Sequence, residues 1–97
     1  MKIEIRKFGT ILISRQLGRE ALAAFLPNLA ELPDTEKIEV DFSGVEVFSP
    51  SWGDEFLTPL HQRFGKRLSL AHSDNSSVQE TVKMLERANS ISFNYLP

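Results

Sequence analysis

The chain has no cysteine, which excludes disulfide staples, a thiolate nucleophile and thiolate metal ligands together and suits a reducing compartment. Its five glycines stand isolated, so there is no glycine-rich loop to cradle a phosphate. No run approaches the roughly 20 apolar residues of a membrane span. The segment MKIEIRKFGT alternates charged with apolar residues where a secretory signal would carry an apolar core. The expected location is therefore cytoplasmic, without a membrane partner. Charge of neither sign gathers into a block: 11 basic against 13 acidic residues leave a net charge of −2. With no basic stripe, nucleic acid is not an expected partner.

What is present suits a folded domain. The 97 residues are 41% hydrophobic and 25% charged, the usual balance of a globular protein. That length has room for one domain, residues 1–97, with one core. A chain so small buries only about 60 to 70% of its extended surface, so a homodimer would add stability.

Along the chain, Ile3 and Ile5 alternate with charges and predict a strand over Lys2 to Phe8; Gly9 and Thr10 then turn into Ile11-Leu12-Ile13, which reads as a hairpin. Ser14 is placed to cap a first helix whose stripe is Leu17, Ala21 and Phe25, with Leu22 and Leu26 beside it and Pro27 at its end. Gly18 inside that helix costs about 1 kcal/mol against alanine, and close approach to a neighbour is the usual compensation. Ile38, Val40 and Phe42 alternate with Glu39 and Asp41 as the clearest strand. The second helix has two capping options: Ser49 with Pro50 at the first helical position, or Ser51 with Asp54. Phe56, Leu60 and Phe64 form its stripe, Gly65 its stop and Pro59 an internal break in hydrogen bonding. Leu68 and Leu70 suggest a short strand. Ser76 with Gln79, or Ser77 with Glu80, opens a third helix, and Ile91 to Tyr95 reads as a last edge strand. Strands alternating with helices predict an α/β layer pair, a mixed sheet of four to five strands covered by about three helices.

The segment from Ile38 to Asp54, IEVDFSGVEVFSPSWGD, resembles the central block of STAS domains, the family of anti-sigma factor antagonists, in which a D-L-S-G-V type strand end is followed by a D-S-S-G-L-G type loop that opens a helix. With Ile13-Ser14-Arg15 and Trp52-Gly53-Asp54-Glu55-Phe56-Leu57, the chain is more closely similar to the STAS-like domain of unknown function. The resemblance implies a STAS-like fold and a non-enzymatic regulatory module that binds another protein, a histidine-kinase-like ATPase acting as anti-sigma factor or serine kinase. It sets Ser51 at the phosphorylated position, with Ser49 as the lesser candidate. The loop departs from the family in having Ser49, Pro50, Ser51 and Trp52 where aspartate, two serines and glycine are usual.

The docking surface implied is Ser49, Pro50, Ser51, Trp52, Asp54 and Glu55, with Arg15, and Arg19 one turn on, set to grip a partner's carboxylate. Asp41, Asp54 and Glu55 lack a histidine at ligand spacing, and adjacent Asp54 and Glu55 point apart on a helix; they read as solvated or capping carboxylates. His61 and His72 belong to different elements and read as surface residues. No nucleophile elbow accompanies the serines. No enzyme activity, metal or cofactor is expected. The alternative reading is a sensor that holds a small molecule or anion at the start of the second helix.

Overall fold

The computed structural model describes residues 1–97. Six short strands and three helices follow one another as β1 (Lys2–Glu4), β2 (Ile11–Leu12), α1 (Arg15–Phe25), β3 (Ile38–Asp41), β4 (Val47–Phe48), α2 (Pro50–Phe64), β5 (Leu68–Leu70), α3 (Ser76–Asn89) and β6 (Asn94–Tyr95). The main sheet has the order β1-β3-β5-β6 and a separate ladder joins β2 to β4; every pairing is parallel. Ile3, Val40, Leu70 and Tyr95 stand in one row across the main sheet. Along β3 and β5 the inward residues Ile38, Val40, Leu68 and Leu70 are buried, while Glu39, Asp41 and Ser69 between them are only half-buried. Helices therefore cover one face, α2 in the middle with α1 on one side and α3 on the other.

The expected α/β layer pair with three helices is thus present, but the N-terminal hairpin is not. After three residues the strand gives way to a 3₁₀ turn over Ile5–Phe8, closed by Gly9 donating to the Arg6 carbonyl at 3.0 Å. Burial of Phe8 drives the break: the turn keeps Ile5 in the core and lays the Phe8 ring 4.9 Å from that of Phe56. A strand continued to Phe8 would point Ile5 inward but leave Phe8 on the solvent face. β1 then finds β3, β2 finds β4, and no antiparallel pair forms.

Aromatic rings tie the layers together. Trp52 stacks on Phe56 at 4.9 Å and meets Phe48 at 5.9 Å, and Phe48 meets Phe42 at 5.0 Å. Gly18 lies against this cluster, its α-carbon so close to α2 that a β-carbon would stand 2.7 Å from the Trp52 carbonyl oxygen. The buried side of α1 is accordingly Gly18, with Ala21, Leu22 and Phe25 partly covered, whereas Leu17 points outward. The third helix also starts differently from the sequence expectation. Asn75 is the cap, its carboxamide oxygen accepting from Ser77 and Val78 N–H while its amide group donates to the Val45 and Glu46 carbonyls at 2.9 Å. A serine there, with a single hydroxyl proton, could not accept from the helix and also donate to both carbonyls.

Candidate functional site

The start of α2 is held from two sides. Phe48, buried at the end of β4, donates its N–H to Ser77 Oγ at 3.1 Å and accepts at its carbonyl from Thr81 Oγ1 at 2.6 Å, so α3 clamps the approach to the helix. Ser49 then caps α2, its hydroxyl accepting from Trp52 N–H at 3.3 Å and its carbonyl from Gly53 N–H at 2.9 Å. Pro50 occupies the first helical position and has no N–H to satisfy. Of the two capping options the structure takes Ser49. Ser51 is left with an N–H and a hydroxyl that have no partner in the protein, on a residue only half-buried.

Asp54 and Glu55 lie three and four residues beyond Ser51, on the same side of the helix. Arg15 bridges them, with Nη1 3.2 Å from Asp54 Oδ2 and 3.0 Å from Glu55 Oε1, and Arg19 reaches Glu55 at 3.4 Å. The two carboxylates do not point apart, because one guanidinium from α1 spans both. Hydrogen bonding from Arg15 holds the Glu55 carboxyl below its ordinary value, and the Glu55 and Asp54 carboxylates raise that of Arg15. The arginines expected to grip a partner are engaged within the chain, and the acids beside Ser51 are balanced by two cations. Asp54 also accepts from Thr58 Oγ1 at 3.2 Å and from the Asn89 amide at 3.4 Å. A shallow groove of about 320 Å³ runs beside this cluster between Arg15, Pro50 and Asp54 and the α3 residues Met84, Ala88 and Asn89.

Trp52 is a correction. Placed by the sequence reading on the docking surface, it is only 1% exposed, because the third position of α2 turns its ring onto Phe48, Phe56 and the Gly18 contact. It can shape the surface only from beneath. Asp41 is a turn former: its Oδ1 accepts from the N–H and hydroxyl of Ser43 at 3.0 and 2.7 Å, which with nearby Lys2 lowers its carboxyl from the ordinary value. His61 and His72 meet the carbonyls of Ser92 and Leu96 at 3.2 and 3.0 Å and fasten the C-terminal segment. No three histidine or acidic residues gather where they could hold a metal ion, and no helix is long and apolar enough to cross a membrane.

One feature was missed in the sequence. Ile11 and Ile13 are each 58% exposed, Leu17 is 57% exposed, and Val47, paired with Ile11 across the small ladder, is 39% exposed. Between them Leu12 and Phe48 point into the core. The signal was the run Ile11-Leu12-Ile13 itself: a strand turns alternate residues to opposite faces, so three consecutive apolar residues cannot all be buried on one side. The apolar strip leads through Phe48 directly into Ser49 and the start of α2.

Neither the curated proteins nor the solved structures hold a match to this chain. The family model of the STAS-like domain of unknown function matches residues 19–78, from α1 through the start of α3, more than half of the chain and the whole of α2. On that match, the chain belongs to the family of the STAS-like domain of unknown function.

Proposed function

We propose that this chain is a regulatory protein-binding module that docks through the start of α2 and the adjoining β2–β4 strip. The observation that carries this reading is the exposure of four large apolar side chains: Ile11 and Val47 in the small ladder, Ile13 in the link to α1, and Leu17 in the first turn of α1. Scattered apolar residues on a surface are ordinary, but a contiguous set beside polar groups is the usual composition of a binding site. The partner, by the resemblance of the Ile38 to Asp54 block to STAS domains, is a histidine-kinase-like ATPase. No cofactor enters this account.

Ser51 supplies the switch. Its hydroxyl has no competing bond in the protein, whereas that of Ser49 is committed to the cap. A phosphate on Ser51 would sit at a helix N-terminus with one free N–H, on the helix side that Arg15 already serves, and would draw that guanidinium away from Asp54 and Glu55. The docking surface would change in charge and shape without unfolding α2.

The test is incubation of the protein with ATP and a histidine-kinase-like ATPase from the same organism, followed by mass spectrometry and calorimetric titration. Phosphate is expected on Ser51 and not Ser49, and Ser51→Asp should weaken binding at least tenfold. Unmodified Ser51 together with unchanged binding by Ser51→Asp would remove the switch and leave the docking reading; no binding by the wild-type protein would remove both.

A further inference from the structure

Away from α2, a cavity of about 240 Å³ opens where the chain leaves the carboxyl ends of β3, β5 and β6 and passes under α3. Its floor is apolar, made by Phe42, Leu70 and Val82, and its rim carries His72, Lys83 and Tyr95. The crevice beyond the carboxyl ends of parallel strands is where open α/β sheets place ligands. We propose that this cavity is a binding site for a small aromatic carboxylate, distinct from the docking surface at the start of α2.

Three observations select that chemistry. Although the whole chain is acidic, no carboxylate lines the cavity. Glu86, whose charge reaches Tyr95, is outside the lining and has an oxygen fixed by the Phe93 N–H at 2.8 Å. Lys83 makes no ion pair in the protein, so its ammonium is available to an anion at the rim. The Tyr95 and His72 rings stack at 5.3 Å with 19° between their planes, a flat wall against which a planar ring lies. The size restricts the occupant, because the volume falls short of the roughly 300 to 1,000 Å³ of drug-sized sites. A single ring bearing one carboxylate fits that description, with the ring on Phe42, Leu70 and Val82 and the anion at Lys83.

The experiment is an NMR titration of the ¹⁵N-labelled full chain with sodium benzoate, with benzamide as the uncharged isostere. Benzoate is expected to give saturable shifts at Leu70, Val82, Lys83 and Tyr95, with Kd on the order of 1 mM for so small a probe. Benzamide should bind roughly 2- to 5-fold more weakly, the range set by one exposed charge. Lys83→Glu should abolish that preference. Tyr95→Ala should weaken both probes alike, and since Tyr95 is 46% exposed the fold should tolerate the change. Shifts that do not saturate, that centre on Ser51, or that benzamide reproduces at equal affinity would overturn the proposal.

Discussion

Gly18→Ala sets two well-understood effects against each other, and the structure decides the sign. Alanine is favoured over glycine inside a helix by about 1 kcal/mol, so on local grounds the variant should be more stable. The new β-carbon, however, would stand 2.7 Å from the Trp52 carbonyl oxygen, 3.1 Å from its α-carbon and 3.2 Å from Cγ of its ring. The first of these atoms belongs to the backbone of α2 and cannot rotate aside. α1 must lift away from α2, and overpacking of this kind costs about 1 to 3 kcal/mol. Contact with backbone places the cost in the upper part of that range, which leaves a net loss of about 1 to 2 kcal/mol. For a domain of this size each 1 kcal/mol moves Tm by about 4 to 8 °C. Thermal and urea unfolding, followed by the fluorescence of Trp52, the sole tryptophan, would measure it. Ala24→Gly on the exposed side of the same helix provides the reference, an expected loss of about 1 kcal/mol from propensity alone. A Gly18→Ala protein that melts higher than wild type would refute the close packing of α1 on α2.

The two serines before Trp52 should separate by role: Ser49→Ala should cost about 1 kcal/mol through the lost cap, while Ser51→Ala should stay within about 0.5 kcal/mol, both read from urea midpoints. Thr81→Val removes the donor to the Phe48 carbonyl at a site only 2% exposed and should cost about 1 to 3 kcal/mol, whereas Thr81→Ser should retain most of the stability. Asp41 and Glu55 both titrate lower in the folded protein than their ordinary values of 3.8 and 4.5, so each contributes stability that is complete above those values and fades as pH falls through the lower folded ones. Urea midpoints should therefore decline below about pH 4.5, and Asp41→Asn with Glu55→Gln should flatten that decline.

Strands with strict alternation were legible. Ile38, Val40 and Leu68 to Leu70 lie where the two-residue period put them, because burial of one sheet face imposes that period. The close approach at Gly18 was legible for the same kind of reason, since an unfavourable glycine in a helix needs a compensating contact. The hairpin was not, because strand pairing is a long-range choice: nothing in Gly9-Thr10 reveals that β1 will meet β3, or β2 will meet β4. The cap of α3 lies one or two residues before the expected Ser76 or Ser77, as any of Asn75, Ser76 and Ser77 can accept from helix amides and only the neighbouring Val45 and Glu46 carbonyls select asparagine. At the site, the sequence offered two caps for α2, and Ser49 with Pro50 at the first helical position is the one that forms. The inward turn of Trp52 and the bridging of Asp54 and Glu55 by Arg15 depend on how α1 and α2 meet, which no local pattern specifies.

The docking surface is most directly tested by calorimetric titration of a histidine-kinase-like ATPase with the wild-type protein and with Ile13→Asp and Val47→Asp. Both changes lie on exposed side chains of the β2–β4 strip, so the far-ultraviolet dichroism and Tm should stay close to wild type. The wild-type protein should bind, and each variant should lose at least tenfold in affinity. Undiminished binding by both folded variants would contradict the proposed surface.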